Sequence, residues 1–91
     1  MAYKIIQTKS YLKIAAKFFK KHPELLKKYG KAITLLTDNP YHPSLRLHKL
    51  QGRHQECFSV SIDMSYRLVI DFVIDDKEIT PINIGTHDEV Y

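Results

Sequence analysis

The sequence predicts an α+β domain in the order β-α-α-β-β-β-β, a helical hairpin packed on a mostly antiparallel sheet. Three observations carry this. Two amphipathic stretches with apolar residues at helical spacing fill residues 9–37 and meet at His22-Pro23. After Pro40 the apolar period changes to two. A nearly unbroken apolar run from Arg67 to Ile74 follows, which suits a central strand covered on both faces. It is far short of the ~20 residues a membrane helix needs. With 91 residues, 44% of them hydrophobic, 6 Tyr and 4 Phe, the chain has material for one domain, 1–91, around one modest core.

Tyr3 to Thr8 reads as a short first strand, rich in β-branched and aromatic residues. Thr8 or Ser10 caps the next helix. Leu12, Ala15, Ala16 and Phe19 define that helix's apolar face, and Tyr11 and Phe18 widen it. Pro23 starts a second helix, Pro23 to Thr37. Its stripe is Leu26, Tyr29, Ile33 and Leu36, with Leu25, Ala32 and Leu35 beside it. Gly30 marks a close approach or a kink. Asp38-Asn39-Pro40 stops the helix. Leu45 to Leu50 alternates, with Leu45 and Leu47 facing one way and Arg46 and His48 the other. Residues 51–55 turn the chain. Phe58, Val60 and Ile62 alternate with Cys57, Ser59 and Ser61 in the next strand. Asp63 to Ser65 and Asp75 to Lys77 are turns. Ile79 to Ile84 is the last strand, and Pro81 implies an edge or irregular position. It ends at Gly85 in a polar tip holding His87, Asp88, Glu89 and Tyr91.

The charge is asymmetric. Residues 1–31 hold nine Lys and one acid, whereas residues 63–91 hold seven acids and two basic residues. A basic half attracts polyanions by counterion release. The same lysines also suit the solvated faces of two helices. The single Cys57 excludes an intramolecular disulfide and fits a reducing cytoplasm. With one Cys and no close His pair there is no zinc pattern and no implied cofactor. The N-terminus lacks the charged-then-apolar layout of a signal peptide.

Candidate chemistry rests on His48, Arg67 and His87. His is the side chain suited to proton transfer near neutral pH. Arg is planar and bidentate toward phosphate. Arg46, Lys49, Arg53 and His54 lie near His48 in sequence. If the strands bearing His48, Arg67 and His87 are neighbours, the three converge on one face. Arg67 either binds phosphate or pairs with Asp63, Asp71 or a partner's carboxylate. Tyr91 either stacks on a base or packs on the sheet.

The helical hairpin, Leu50-Gln51-Gly52, Phe58 to Ile62, Tyr66-Arg67-Leu68-Val69-Ile70 and Gly85-Thr86-His87 ending at Tyr91 resemble the RelE/ParE toxin superfamily. The resemblance spans nearly the whole chain and is nearest to the YafQ-type and RelE-type toxins. It implies a metal-independent, ribosome-dependent mRNA endonuclease neutralised by an antitoxin. His48, in a His-x-Leu-x-Gly segment, and His87, in Gly-Thr-His, then match catalytic histidines. Arg67 matches a phosphate-stabilising Arg, and Tyr91 a terminal aromatic. Arg46, Lys49, Arg53 and His54 become RNA contacts. The chain departs from the YafQ pattern where those toxins carry a further His and an Asp; Ile62 and Tyr66 stand there. Two other functions suit the same superfamily: a ParE-like gyrase inhibitor, and a nuclease-dead relative that binds an antitoxin.

Overall fold

A computed structural model describes residues 2–50, 57–73 and 76–90 of the chain. The elements are β1 (Lys4–Ile5), α1 (Lys9–Lys21), α2 (Leu26–Asp38), β2 (His48–Lys49), β3 (Cys57–Ser61), β4 (Tyr66–Val73), β5 (Glu78–Thr86) and α3 (His87–Val90). Short 3-10 turns at Pro23–Leu25 and Pro43–Leu45 precede α2 and β2. The sheet order is β1-β5-β4-β3-β2. Every pairing is antiparallel except β1 with β5. This is the predicted α+β class, with β4 at the centre as its apolar run requires. The predicted turn at 51–55 and part of that at 75–77 lie outside the described residues.

The main core lies between the hairpin and the sheet: Tyr11, Ala32, Leu36, Leu45, Val60, Leu68, Ile70, Phe72 and Ile79 are all buried there. Thr8 caps α1, its Oγ1 accepting from the Tyr11 amide at 3.1 Å. The predicted α1 face is right for Ala15, Phe19, Tyr11 and Phe18, which meet the core, and wrong for Leu12 and Ala16. Leu12 is 47% exposed and Ala16 is exposed, while Tyr11, Ala15, Phe18 and His22 turn inward. Two apolar templates one residue apart share this helix. The aromatic one removes more area from water and wins. In α2, Leu26 is 53% exposed and Leu25 is buried instead, because the entry turn is 3-10. Gly30 neither kinks the helix nor meets a neighbour: a Cβ built there has no atom within 4 Å. Gly30→Ala is therefore expected to stabilise the fold by ~1 kcal/mol, read as a higher urea midpoint with an unchanged slope.

The hairpin is tied internally by the Tyr11 and Tyr29 hydroxyls, 2.6 Å apart. Burial, and for Tyr11 the Tyr29 hydroxyl beside it, raises the Tyr11 pKa far above its ordinary 10.0; burial also raises Tyr29. Both groups are acids whose neutral form the fold prefers. Their contribution is complete below pH 10.0 and is lost as pH rises toward the folded values. Denaturation midpoints should fall above about pH 10 in wild type and less in the Tyr11→Phe/Tyr29→Phe pair. At neutral pH, Tyr29→Phe alone costs ~1–3 kcal/mol by stranding the Tyr11 hydroxyl, whereas the double change is nearly neutral. Equal losses for single and double variants would refute the coupling.

The strand expected over 45–50 is only two residues long. Arg46 adopts φ 49, a left-handed conformation that costs about 1–2 kcal/mol without glycine. Leu45 therefore belongs to the 3-10 turn and is buried in the core. β5 lies between β1 and β4, but β1 pairs only with Glu78 and Ile79, so Pro81 is past the end of β1 with β4 alone beside it, as its missing N–H suits. It also sits at a register shift, opposite Ile70, where the β4–β5 ladder slips between Val69 and Ile70. The last strand runs to Thr86, one residue past Gly85, and the polar tip is a helical turn.

Candidate active site

The second sheet face carries His48 and Arg67. Alternation puts His48 and Leu50, Cys57 and Ser59, and Arg67 and Val69 on one side. Leu50, Cys57 and Val69 form a small buried cluster there with Val90 of α3. That cluster seats α3 against the same face as His48 and Arg67. The register pairs Arg67 with Gly85 and Tyr66 with Thr86, so the backbone of His87 follows directly at the start of β4. The side chains of His87 and Glu89, and all of Arg53, His54 and Tyr91, lie outside the described residues.

The strands of His48 and Arg67 are not immediate neighbours. β3 runs between them and contributes Ser59, which the sequence places on a polar face but does not single out. Ser59 is fully buried. Its Oγ accepts from Arg67 Nε at 2.9 Å and lies 3.4 Å from His48 Nε2. Arg67 Nη2 donates to the Arg46 carbonyl at 2.9 Å and to the Ser59 carbonyl at 3.3 Å, and lies 3.3 Å from His48 Nδ1. The left-handed Arg46 turn is what aims its carbonyl at the guanidinium. His48 is exposed and Arg67 half-buried, so the pair opens to solvent.

Among the described residues, Arg67 is held by two carbonyls, a hydroxyl and an imidazole. No carboxylate among the described residues pairs with it. Asp63, one alternative partner, spends Oδ1 on the Ser65 and Tyr66 amides at 2.8 Å each, and Oδ2 lies 3.8 Å from Lys28 Nζ. Those bonds shape the turn that starts β4. Asp71, the other, has a buried Oδ1 with no hydrogen-bond partner among the described residues. A guanidinium with no carboxylate partner among the described residues, set beside an imidazole, suits an anion, since arginine donates to phosphate in a bidentate fork.

The remaining predicted contacts divide. Arg46 is exposed beside the pair. Lys49 is exposed but belongs to the opposite face by alternation, in register with Phe58. Ile62 is buried in the main core, and Tyr66 packs on Phe18 and His22 at ring distances of 5.5 and 5.1 Å. Ile62 has no group to transfer a proton, and Tyr66 lies on the helix side of the sheet, away from His48 and Arg67. A groove of about 290 Å³ opens on the helix side, lined by Lys28, Lys31, Leu35, Leu45, Ile62 and Met64; it holds none of the candidate residues. Among the described residues there is no cluster of metal-binding side chains and no helix long and apolar enough to cross a membrane.

No protein-family model and no curated protein sequence matches the chain. Solved structures match it end to end. The E. coli DinJ-YafQ toxin-antitoxin complex contains a chain 22% identical, covering 100% of this chain and 99% of its own, at a TM-score of 0.78. A metal-bound toxin from Helicobacter pylori is 21% identical over 98% of this chain and 99% of its own, at 0.70. The YoeB/ParE toxin from Agrobacterium tumefaciens is 17% identical over 92% and 98%, at 0.69. The fold is that of the RelE/YafQ toxins.

Proposed function

We propose that this chain, folded as YafQ and YoeB/ParE toxins are, is the toxin of a type II toxin–antitoxin pair and cleaves mRNA on the ribosome. The observation that carries the reading is Arg67, held by neutral groups beside His48, with no described carboxylate to cancel its charge. RNA cleavage needs a base for the ribose 2′-OH, an acid for the leaving 5′-oxygen, and a cation where phosphate charge builds. Arg67 serves as that cation. His48 and His87 divide the acid and base roles. Tyr91 stacks on a base, while Arg46, Arg53 and His54 contact the backbone; Lys49, on the other face, is left out of the site. No step requires a metal or cofactor. The site has few groups and is open, so the ribosome supplies the positioning. The reaction takes place in the cytoplasm, and an antitoxin neutralises the protein as DinJ partners YafQ.

The test is cell-free translation of a defined mRNA, with cut sites mapped by primer extension, run with and without ribosomes. New cuts that require ribosomes are expected. Folded protein that makes no cuts but blocks supercoiling by gyrase would instead establish the ParE-like reading. No activity in either assay, with tight antitoxin binding, would identify a nuclease-dead relative.

A further inference from the structure

We infer that Ser59 is a positioning residue that fixes the tautomer of His48 and couples its basic nitrogen to phosphate binding at Arg67. The inference rests on the nuclease reading for its functional meaning, but its geometry stands apart from catalysis. Ser59 Oγ lies at 2.9 Å from Arg67 Nε and 3.4 Å from His48 Nε2, and Arg67 Nη2 lies 3.3 Å from His48 Nδ1. Three side chains from three adjacent strands thus close a ring. A guanidinium can only donate. Nη2 carries two hydrogens: one goes to the Arg46 carbonyl at 2.9 Å, and the other lies between the Ser59 carbonyl and His48 Nδ1, each at 3.3 Å, where a lone pair on Nδ1 attracts it. The Arg46 carbonyl is also 3.3 Å from Nδ1, but a hydrogen on Nδ1 reaching for it would sit against the guanidinium hydrogens, so the lone-pair form is the one this geometry favours. A neutral imidazole with its lone pair at Nδ1 carries its hydrogen at Nε2. Ser59 Oγ is placed to accept it, and Ser59 is fully buried, so the acceptor is fixed in place.

The arrangement makes Nδ1 the proton acceptor and sets it beside the phosphate-binding cation. In the free protein Arg67 occupies that lone pair. A phosphate that takes Nη2 releases it. Base and anion site are then filled in order, with the base exposed only once a phosphate is present. Outer partners that orient a working imidazole in this way typically matter by roughly 10–100-fold in activity, and that loss is expected for Ser59→Ala.

The experiment is nitrogen-15 NMR of the imidazoles in folded wild type, Ser59→Ala and Ser59→Thr, with folding verified by circular dichroism and with inorganic phosphate as the probe. Wild type should show His48 protonated at Nε2 only. Ser59→Ala should show mixed tautomers, and Ser59→Thr should restore one. Phosphate should shift His48 Nδ1 in wild type and not in Arg67→Ala. An Nδ1-protonated His48 in wild type, or a Ser59→Ala spectrum identical to it, would overturn the inference. These readouts need no turnover. The expected spectra without RNA cleavage would leave the inference standing and remove the nuclease reading; cleavage with an unresponsive His48 would do the reverse.

Discussion

If the proposed cleavage is this chain's activity, Arg67→Ala is expected to lower it by roughly 100–1,000-fold, the cost of removing a preorganised donor from developing charge. The loss should lie in the chemical step more than in ribosome binding, because one half-buried guanidinium is a small part of the chain's 14 Lys and Arg. Arg67→Lys should recover little. An ammonium is a point charge and cannot hold Ser59 Oγ and the Arg46 carbonyl while facing a phosphate. On the same proposal, His87→Ala would remove a proton-transfer group and is expected to cost roughly 100–10,000-fold. Single-turnover primer extension on programmed ribosomes, at matched circular dichroism, measures both. Wild-type rates in Arg67→Ala would sink the phosphate role. Wild-type rates in His87→Ala alone would leave Arg67 in place and shift the acid and base roles away from the C-terminal turn.

How much of this was legible in the sequence differs from element to element. The change of apolar period at Pro40 and the run from Arg67 to Ile74 sufficed for fold class, because burial on one face or two writes itself into spacing. Phase was harder. On α1, Leu12 and Tyr11 head overlapping templates, and only contact with Tyr29 and the sheet chooses between them. The length of β2 was hidden because left-handed φ at Arg46 is imposed by the 3-10 turn before it, not by an Asn or Gly that would announce it. In the candidate site, residue types pointed to His48, Arg67 and His87, since imidazole and guanidinium carry chemistry by themselves. Ser59 carried no such mark. Its alternation placed it on a polar face, yet it is buried because Arg67 and His48 close over it, and that closure is a property of three strands together.

The largest effect on stability is expected at Phe72, where Phe72→Ala should cost ~3–5 kcal/mol. Its ring is fully buried and meets Tyr3 and Phe58 at 5.7 Å and Tyr41 at 5.9 Å. Those neighbours come from the N-terminal segment, β3 and the loop after α2, so one cavity loosens three parts of the chain. A domain of this size has ~5–15 kcal/mol of total stability. Each kcal/mol shifts the Tm of a small domain by roughly 4–8 °C. A fall of well over ten degrees should follow, measurable by thermal denaturation. The substitution should still leave cleavage per folded molecule near wild type, because Phe72 projects to the helix side of β4 and Arg67 to the other. That separation can be read by normalising rates to the folded fraction at low temperature. A large loss of normalised activity would mean that the core sets the position of β4 finely enough to move the Arg67–Ser59–His48 ring, and would join by mechanics two faces that the alternation of the strand keeps apart.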